Sequence, residues 1–329
     1  MGRVAVGISG VLAAAALAAV APARGSQLID RNATQVKLRV NRDGQALLTY
    51  VARGTLHRVL VVGGGKPYAL APRHGSKQIQ FKVNYSGGYG MYHRTLWKGF
   101  KNACRRYDGP NLHWPWLFIG CKAPDGSYWA VQEFPQPLPN LGFAPWNASQ
   151  RKTWLELSHW SGPIPKLEAG QDWVYSGKWH AIFGRLTYRG KPVYGFSTSR
   201  TGVPLGTFGT LIYLDTYNSP SYGKGWRREN SFVVNKPNGI FCYGFFTFNP
   251  HTGGYSAPAS FKGSKRGPGV GQSYRLIASG PGVTPDVVWQ ARALGPFRPR
   301  SKADVAYERR MTAQLRAWAG PRSQCLTSR

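Results

Sequence analysis

The stretch Val36-Lys37-Leu38-Arg39-Val40-Asn41-Arg42-Asp43-Gly44-Gln45-Ala46-Leu47-Leu48-Thr49-Tyr50-Val51 decides the fold class. Residues 36–40 alternate apolar with basic side chains, the period of two that a half-buried strand requires. Asn41-Arg42-Asp43-Gly44 has the composition of a hairpin turn, and residues 46–51 return as a second strand. The same pattern runs outward from this hairpin. Residues 56–62 follow and end in Gly63-Gly64-Gly65, and residues 79–83 alternate again. Further on, residues 182–188, the turn Arg189-Gly190-Lys191-Pro192 and residues 193–197 read as a second hairpin. Residues 211–217, 231–235, 240–248 and 274–278 complete the set. Short strands spaced by turn residues, with 41 Gly and 24 Pro, predict a mainly β chain. The expected architecture is an antiparallel β-sandwich or barrel-like fold with a few short helices and a C-terminal helix.

Three segments depart towards helix. In residues 94–107, Leu96, Phe100, Ala103, Cys104 and Tyr107 fall on one helical stripe, closed by Gly109-Pro110. Thr284-Pro285 reads as a helix start, with a stop at Gly295. The third helix, at about 302–319, has Ser301 and Asp304 as a capping pair. Its apolar stripe runs through Tyr307, Met311, Leu315 and Trp318, and Gly320-Pro321 ends it.

Residues 1–23 carry the marks of an export signal: Arg3, an apolar run through Ala21, and the small-x-small site Ala21-Pro22-Ala23. An uncleaved anchor is the alternative, since the run approaches the length of a membrane span. Cleavage after Ala23 leaves a secreted or envelope-associated chain with no transmembrane span. The mature chain divides into a β-rich half at 24–134, a Pro-rich connection at 135–150 and a β-rich half at 151–329. Residues 253–272, rich in Gly, Pro and Lys, read as an exposed loop.

Export into an oxidising compartment gives the four cysteines meaning. Of the three possible pairings, Cys104–Cys121 with Cys242–Cys325 closes one short loop and pins the C-terminal tail. The 43 Lys+Arg residues against 13 Asp+Glu leave a net charge of +30, which attracts polyanions and weakens with salt.

Catalytic and cofactor motifs fail on inspection. The run Val61-Val62-Gly63-Gly64-Gly65-Lys66-Pro67 lacks the first glycine and the Ser/Thr of a phosphate loop. Gly195-Phe196-Ser197-Thr198-Ser199 lacks the closing glycine of a nucleophile elbow. The seven histidines are scattered, so no metal site and no cofactor are expected.

Two constellations carry chemistry. In Trp154-Leu155-Glu156-Leu157-Ser158-His159-Trp160, a strand puts Trp154, Glu156 and Trp160 on one face, as a glycan-stacking platform needs if that face is open. Arg94, Lys98, Lys101 and Arg105 form the opposite row of the first expected helix, spaced to meet a polyanion. The expected function is non-catalytic binding of an anionic wall polymer or polysaccharide of the cell envelope, with no specific nucleic-acid partner. The alternatives are an envelope scaffold and a glycan-active hydrolase or lyase using Glu156, Glu168 and Asp172. The sequence leaves the oligomeric state open.

Overall fold

A computed structural model describes residues 26–63, 81–112, 118–135, 152–174, 179–192, 197–198, 204–205, 211–219, 223–233, 240–244, 247–249, 254–256, 271–278 and 284–319. Eight strands build the first half: β1 (Gln27–Arg31), β2 (Thr34–Val40), β3 (Gln45–Ala52), β4 (Thr55–Val62), β5 (Lys82–Asn84), β6 (Phe118–Lys122), β7 (Tyr128–Pro135) and β8 (Thr153–Trp160). They form two antiparallel sheets, in the orders β2-β3-β4-β5 and β1-β8-β7-β6. Inward side chains from both sheets share one core, with Leu38, Leu48 and Val59 from the first meeting Trp129, Val131 and Leu157 from the second. The first half is therefore a two-layer sandwich.

The turn residues act as expected. The Asn41 side-chain oxygen accepts from the amides of Asp43 at 3.1 Å and Gln45 at 2.9 Å, and Gly44 takes a left-handed φ of 71°. Arg189 and Gly190 have φ of 51° and 74°, the paired left-handed conformation whose twist suits a two-residue hairpin.

The second half contains β9 (Lys166–Val174), β10 (Trp179–Tyr188), β11 (Lys191–Pro192), β12 (Ser197–Thr198), β13 (Pro204–Leu205), β14 (Leu211–Ser219), β15 (Gly223–Val233), β16 (Ile240–Gly244), β17 (Thr247–Asn249), β18 (Gly254–Ser256), β19 (Ser273–Ala278) and β20 (Val287–Arg292). In one sheet β9 lies along one edge of β10, and β16 and β11 share the other. The facing sheet has the order β15-β14-β19-β20, and β12-β13 and β17-β18 are separate two-stranded pairs. Ile182, Leu186 and Phe241 pack against Ile212, Leu214 and Leu276 between the two large sheets. No closed barrel occurs among the described residues.

Of the expected helices, the last forms as read. Helix α2 spans Lys302–Ala319, after a single turn, α1, at Tyr89–Tyr92. The Asp304 amide donates to Ser301 Oγ at 3.3 Å, and Met311, Leu315 and Ala319 pack on Phe183 and Ile240. The other two expectations are corrected. Residues 94–107 hold only a 3-10 turn at Leu96–Lys98 and are otherwise irregular, with an isolated bridge at Arg105. Tertiary bonds outcompete the helix there: the Ala103 amide donates to the Val40 carbonyl at 2.7 Å, and Arg105 and Lys122 exchange backbone bonds of 2.9 and 3.1 Å. The stretch expected to be helical after Thr284-Pro285 contains β20, because β19 offers an open edge and residues 287–292 fill it.

The Pro-rich connection joins neighbours within one sheet, since β7 and β8 on either side of it pair antiparallel. The passage from the first sandwich to the second comes between Trp160 and Lys166. The segment 1–23, Cys325, Gly320-Pro321 and most of 253–272 lie outside the described residues.

Candidate functional site

Beside the β2–β3 hairpin the irregular segment that follows α1 is pinned to β2 and β6. The Asn102 side-chain oxygen accepts from the amides of Val40 at 3.1 Å and Cys104 at 3.2 Å. Arg39 donates through Nη1 to the Phe100 carbonyl at 3.3 Å. The disulfide Cys104–Cys121 adds a covalent tie, with Cα atoms 5.5 Å apart. Cys242 is likewise disulfide-bonded. Across the gap Gln45 Nε2 donates to the Tyr92 hydroxyl at 3.0 Å.

These anchors enclose a groove of about 930 Å³ whose lining includes Arg42, Arg94, Lys101 and Arg105, with Asp43 its only acid. All four cations are exposed. Among the described residues none of them forms an ion pair. A concave site with four cations to one acid concentrates anions, and none of its cations is paired to a carboxylate among the described residues.

Of the expected row, Arg94, Lys101 and Arg105 meet in this groove although the helix meant to align them does not form. Lys98 does not line it; its ammonium stands 5.5 Å from the Trp97 ring centroid. Arg42 was missed because it reads as an ordinary turn residue; only the fold of residues 94–105 back onto the hairpin gives it company. A second, shallower groove of about 700 Å³ is lined in part by Lys37, Arg39, Arg58 and Trp97. Strand register lines up Lys37 and Arg58 on either side of Thr49. Arg39, whose guanidinium lies 5.5 Å from the Phe100 ring centroid, connects this groove to the first, which Phe100 lines.

The expected glycan platform is corrected. The alternation along β8 is right, but both faces are covered: Trp154 is 8% exposed, Glu156 2% and Trp160 0%. Leu155 and Leu157 face the first sandwich core. On the other side Trp160 packs with Leu112, Tyr107, Tyr128 and Ile164. Glu156 accepts a hydrogen bond from Ser26 there, and Gln132 bonds to the Asp286 backbone at 3.3 Å. The second half of the chain thus sits where open solvent was expected.

The three acids do not assemble as a hydrolase pair. Glu156 lies in the first sandwich and Glu168 and Asp172 in the second. Four residues apart on one strand, Glu168 and Asp172 have Cα atoms about 13 Å apart, while paired glycosidase carboxyls stand about 5–10 Å apart. Glu168 is ion-paired to Lys166 at 2.8 Å and Arg185 at 2.7 Å; burial pushes its carboxyl up, and these two cations bring it below the ordinary value. Asp172 is fully buried and accepts from the Trp173 amide at 2.8 Å.

A cluster that the sequence did not reveal links the exposed Asp125 to the buried Ser127 and His159. Ser127 Oγ lies 2.6 Å from Asp125 Oδ1 and 2.9 Å from His159 Nε2. The serine has one proton and the carboxylate can only accept, so Ser127 donates to Asp125 and accepts from His159 Nε2–H. That polarity is wrong for a nucleophile. Burial also pushes the imidazole down to about 3, which leaves it no general-base role near neutrality. Its ring stacks on Trp129, centroids 3.7 Å apart, as core packing. Among the described residues no group of three metal-ligating side chains converges, and no helix is long and apolar enough to cross a membrane.

No protein family, curated protein or solved structure matches this chain.

Proposed function

We propose that this protein is an exported, non-catalytic binder of an anionic polymer of the cell envelope, a wall polymer or an acidic polysaccharide. The polymer is taken up in the groove of Arg42, Arg94, Lys101 and Arg105. One observation carries the reading: four exposed cations line one groove with a single acid, and none of them is ion-paired among the described residues. The second groove, with Lys37, Arg39 and Arg58, offers an extended chain more charge beside the first. Arg-rich sites favour phosphate and carboxylate because the guanidinium fork meets two oxygens at once. The export signal read at residues 1–23 supports a location among such polymers, and the net charge of +30 would raise their concentration at the protein's surface.

The test is equilibrium binding of soluble polyanions, one polyphosphate and one polyuronate, across a salt series. The expected result is tight association at low salt with log affinity falling linearly against log salt. Affinity independent of salt, or no affinity at low salt, defeats the proposal.

A further inference from the structure

We infer that the solvent face of helix α2 is a second docking surface for a linear phosphate-bearing polymer; the inference rests on the reading of this protein as a polyanion binder. Helix α2 packs on the second sandwich through Met311, Leu315 and Ala319. At 100° per residue, Lys302, Ala306, Arg309, Ala313 and Arg316 lie diametrically opposite that buried face, within an arc of about 80°. All five are exposed. A seven-residue repeat drifts only about 20° per step, so Lys302, Arg309 and Arg316 form a straight cationic row about 21 Å long. The two alanines between them leave nothing tall on the stripe, so a polymer backbone can lie along it.

The acids of this element do not interrupt the row. Asp304, in the first turn, is turned to Ser301 at 3.0 Å and to Arg298 at 3.0 Å. Glu308 falls well outside the arc, about 120° from Lys302. The N-terminal end of the row opens into a groove of about 520 Å³ lined by Arg300, Lys302 and Arg309 beside Pro299, Val305 and Ala306. Among the described residues none of Arg300, Lys302, Arg309 and Arg316 forms an ion pair. Three of these four are arginines, the cation suited to bidentate phosphate contacts. The row therefore presents regularly spaced cations, on a helix packed against the second sandwich, to a chain whose charges are also regularly spaced. Two docking surfaces on one protein make a long polymer bind more tightly than a short one, through the raised effective concentration of the second contact.

The experiment measures binding of inorganic polyphosphate, as short and long chains, to full-length protein. It compares Lys302→Gln/Arg309→Gln/Arg316→Gln with a charge-matched control, Lys82→Gln/Lys152→Gln/Lys224→Gln, at other exposed lysines. The helix variant is expected to lose tenfold or more of its long-chain affinity relative to the control. Its salt slope should fall by about 2, the loss of three single-strand phosphate contacts. Equal losses in the two variants overturn the inference and leave the groove reading standing. Loss confined to the helix variant, with a groove variant unaffected, upholds the helix surface and removes the groove. Absence of wild-type binding at low salt removes both. Ala306→Glu, which sets a carboxylate between Lys302 and Arg309, must reproduce the weakening even if the triple variant does not fold.

Discussion

Cys104 and Cys121 are joined across the edge of the groove, so the segment carrying Lys101 and Arg105 is covalently tied to β6. Two cations that belong to an irregular segment, not to a helix or strand, are held by this link together with Asn102 and the Arg105–Lys122 bridge. Replacing both cysteines with serine opens a closed loop spanning a sequence separation of 17. The expected loss is about 3 kcal/mol in urea unfolding, the loop-entropy value for a closure of that size. Polyanion affinity should fall with it, because the cations are no longer presented together. Unchanged binding in the folded double variant contradicts the idea that this tie organises the site.

Trp160 tests the placement of the β8 indoles. It is fully buried, with its ring 5.6 Å from Tyr128 and 6.3 Å from Tyr107. Trp160→Ala should cost about 3–5 kcal/mol in denaturant unfolding, the range for removing a large core aromatic. Folded variant protein should keep its polyanion affinity. An unfolding midpoint equal to wild type contradicts the core assignment.

His159 makes stability depend on pH. Its imidazole ordinarily titrates near 6.5 and is pushed down to about 3 by burial, so below pH 6.5 the unfolded chain binds a proton that the native state refuses. The stabilisation is fully present above pH 6.5 and is lost as pH falls towards 3. The loss is of the order of several kcal/mol, at about 1.4 per unit of separation. Urea unfolding at pH 7.5 and pH 4.5 should show a drop in wild type that His159→Gln flattens. A drop of the same size in that variant assigns the effect elsewhere.

Much of the β framework was legible because it rests on local signals. Period-two alternation predicts β2, and Asn41 and Gly44 mark the turn from which β3 returns. Ser301 and Asp304 announce α2 for the same reason, since a cap is made within one turn of chain. Residues 94–107 were misread because helical spacing of Leu96, Phe100 and Cys104 says nothing about Val40, Lys122 and Cys121, the distant partners that hold the segment out of a helix. The strand β20 was misread on the same grounds, its partner β19 being invisible in a local reading. In β8 the alternation was right and its consequence was not. Whether a face is open depends on Ile164, Asp286 and their neighbours, which arrive from the other half of the chain. Of the groove, Arg94, Lys101 and Arg105 were named from sequence for a geometry that does not form, and Arg42 was not named at all.

The central claim is that groove cations, rather than total charge, hold the polymer. The most direct measurement compares Arg42→Gln/Arg94→Gln/Lys101→Gln/Arg105→Gln with the charge-matched Lys82→Gln/Lys152→Gln/Lys191→Gln/Lys224→Gln for salt-dependent binding of a soluble polyphosphate. The groove variant should lose about 3 from the slope of log affinity against log salt, the value for four single-strand contacts, while the control stays close to wild type. Equal slopes and equal affinities in the two variants would show that binding follows net charge alone and contradict the account.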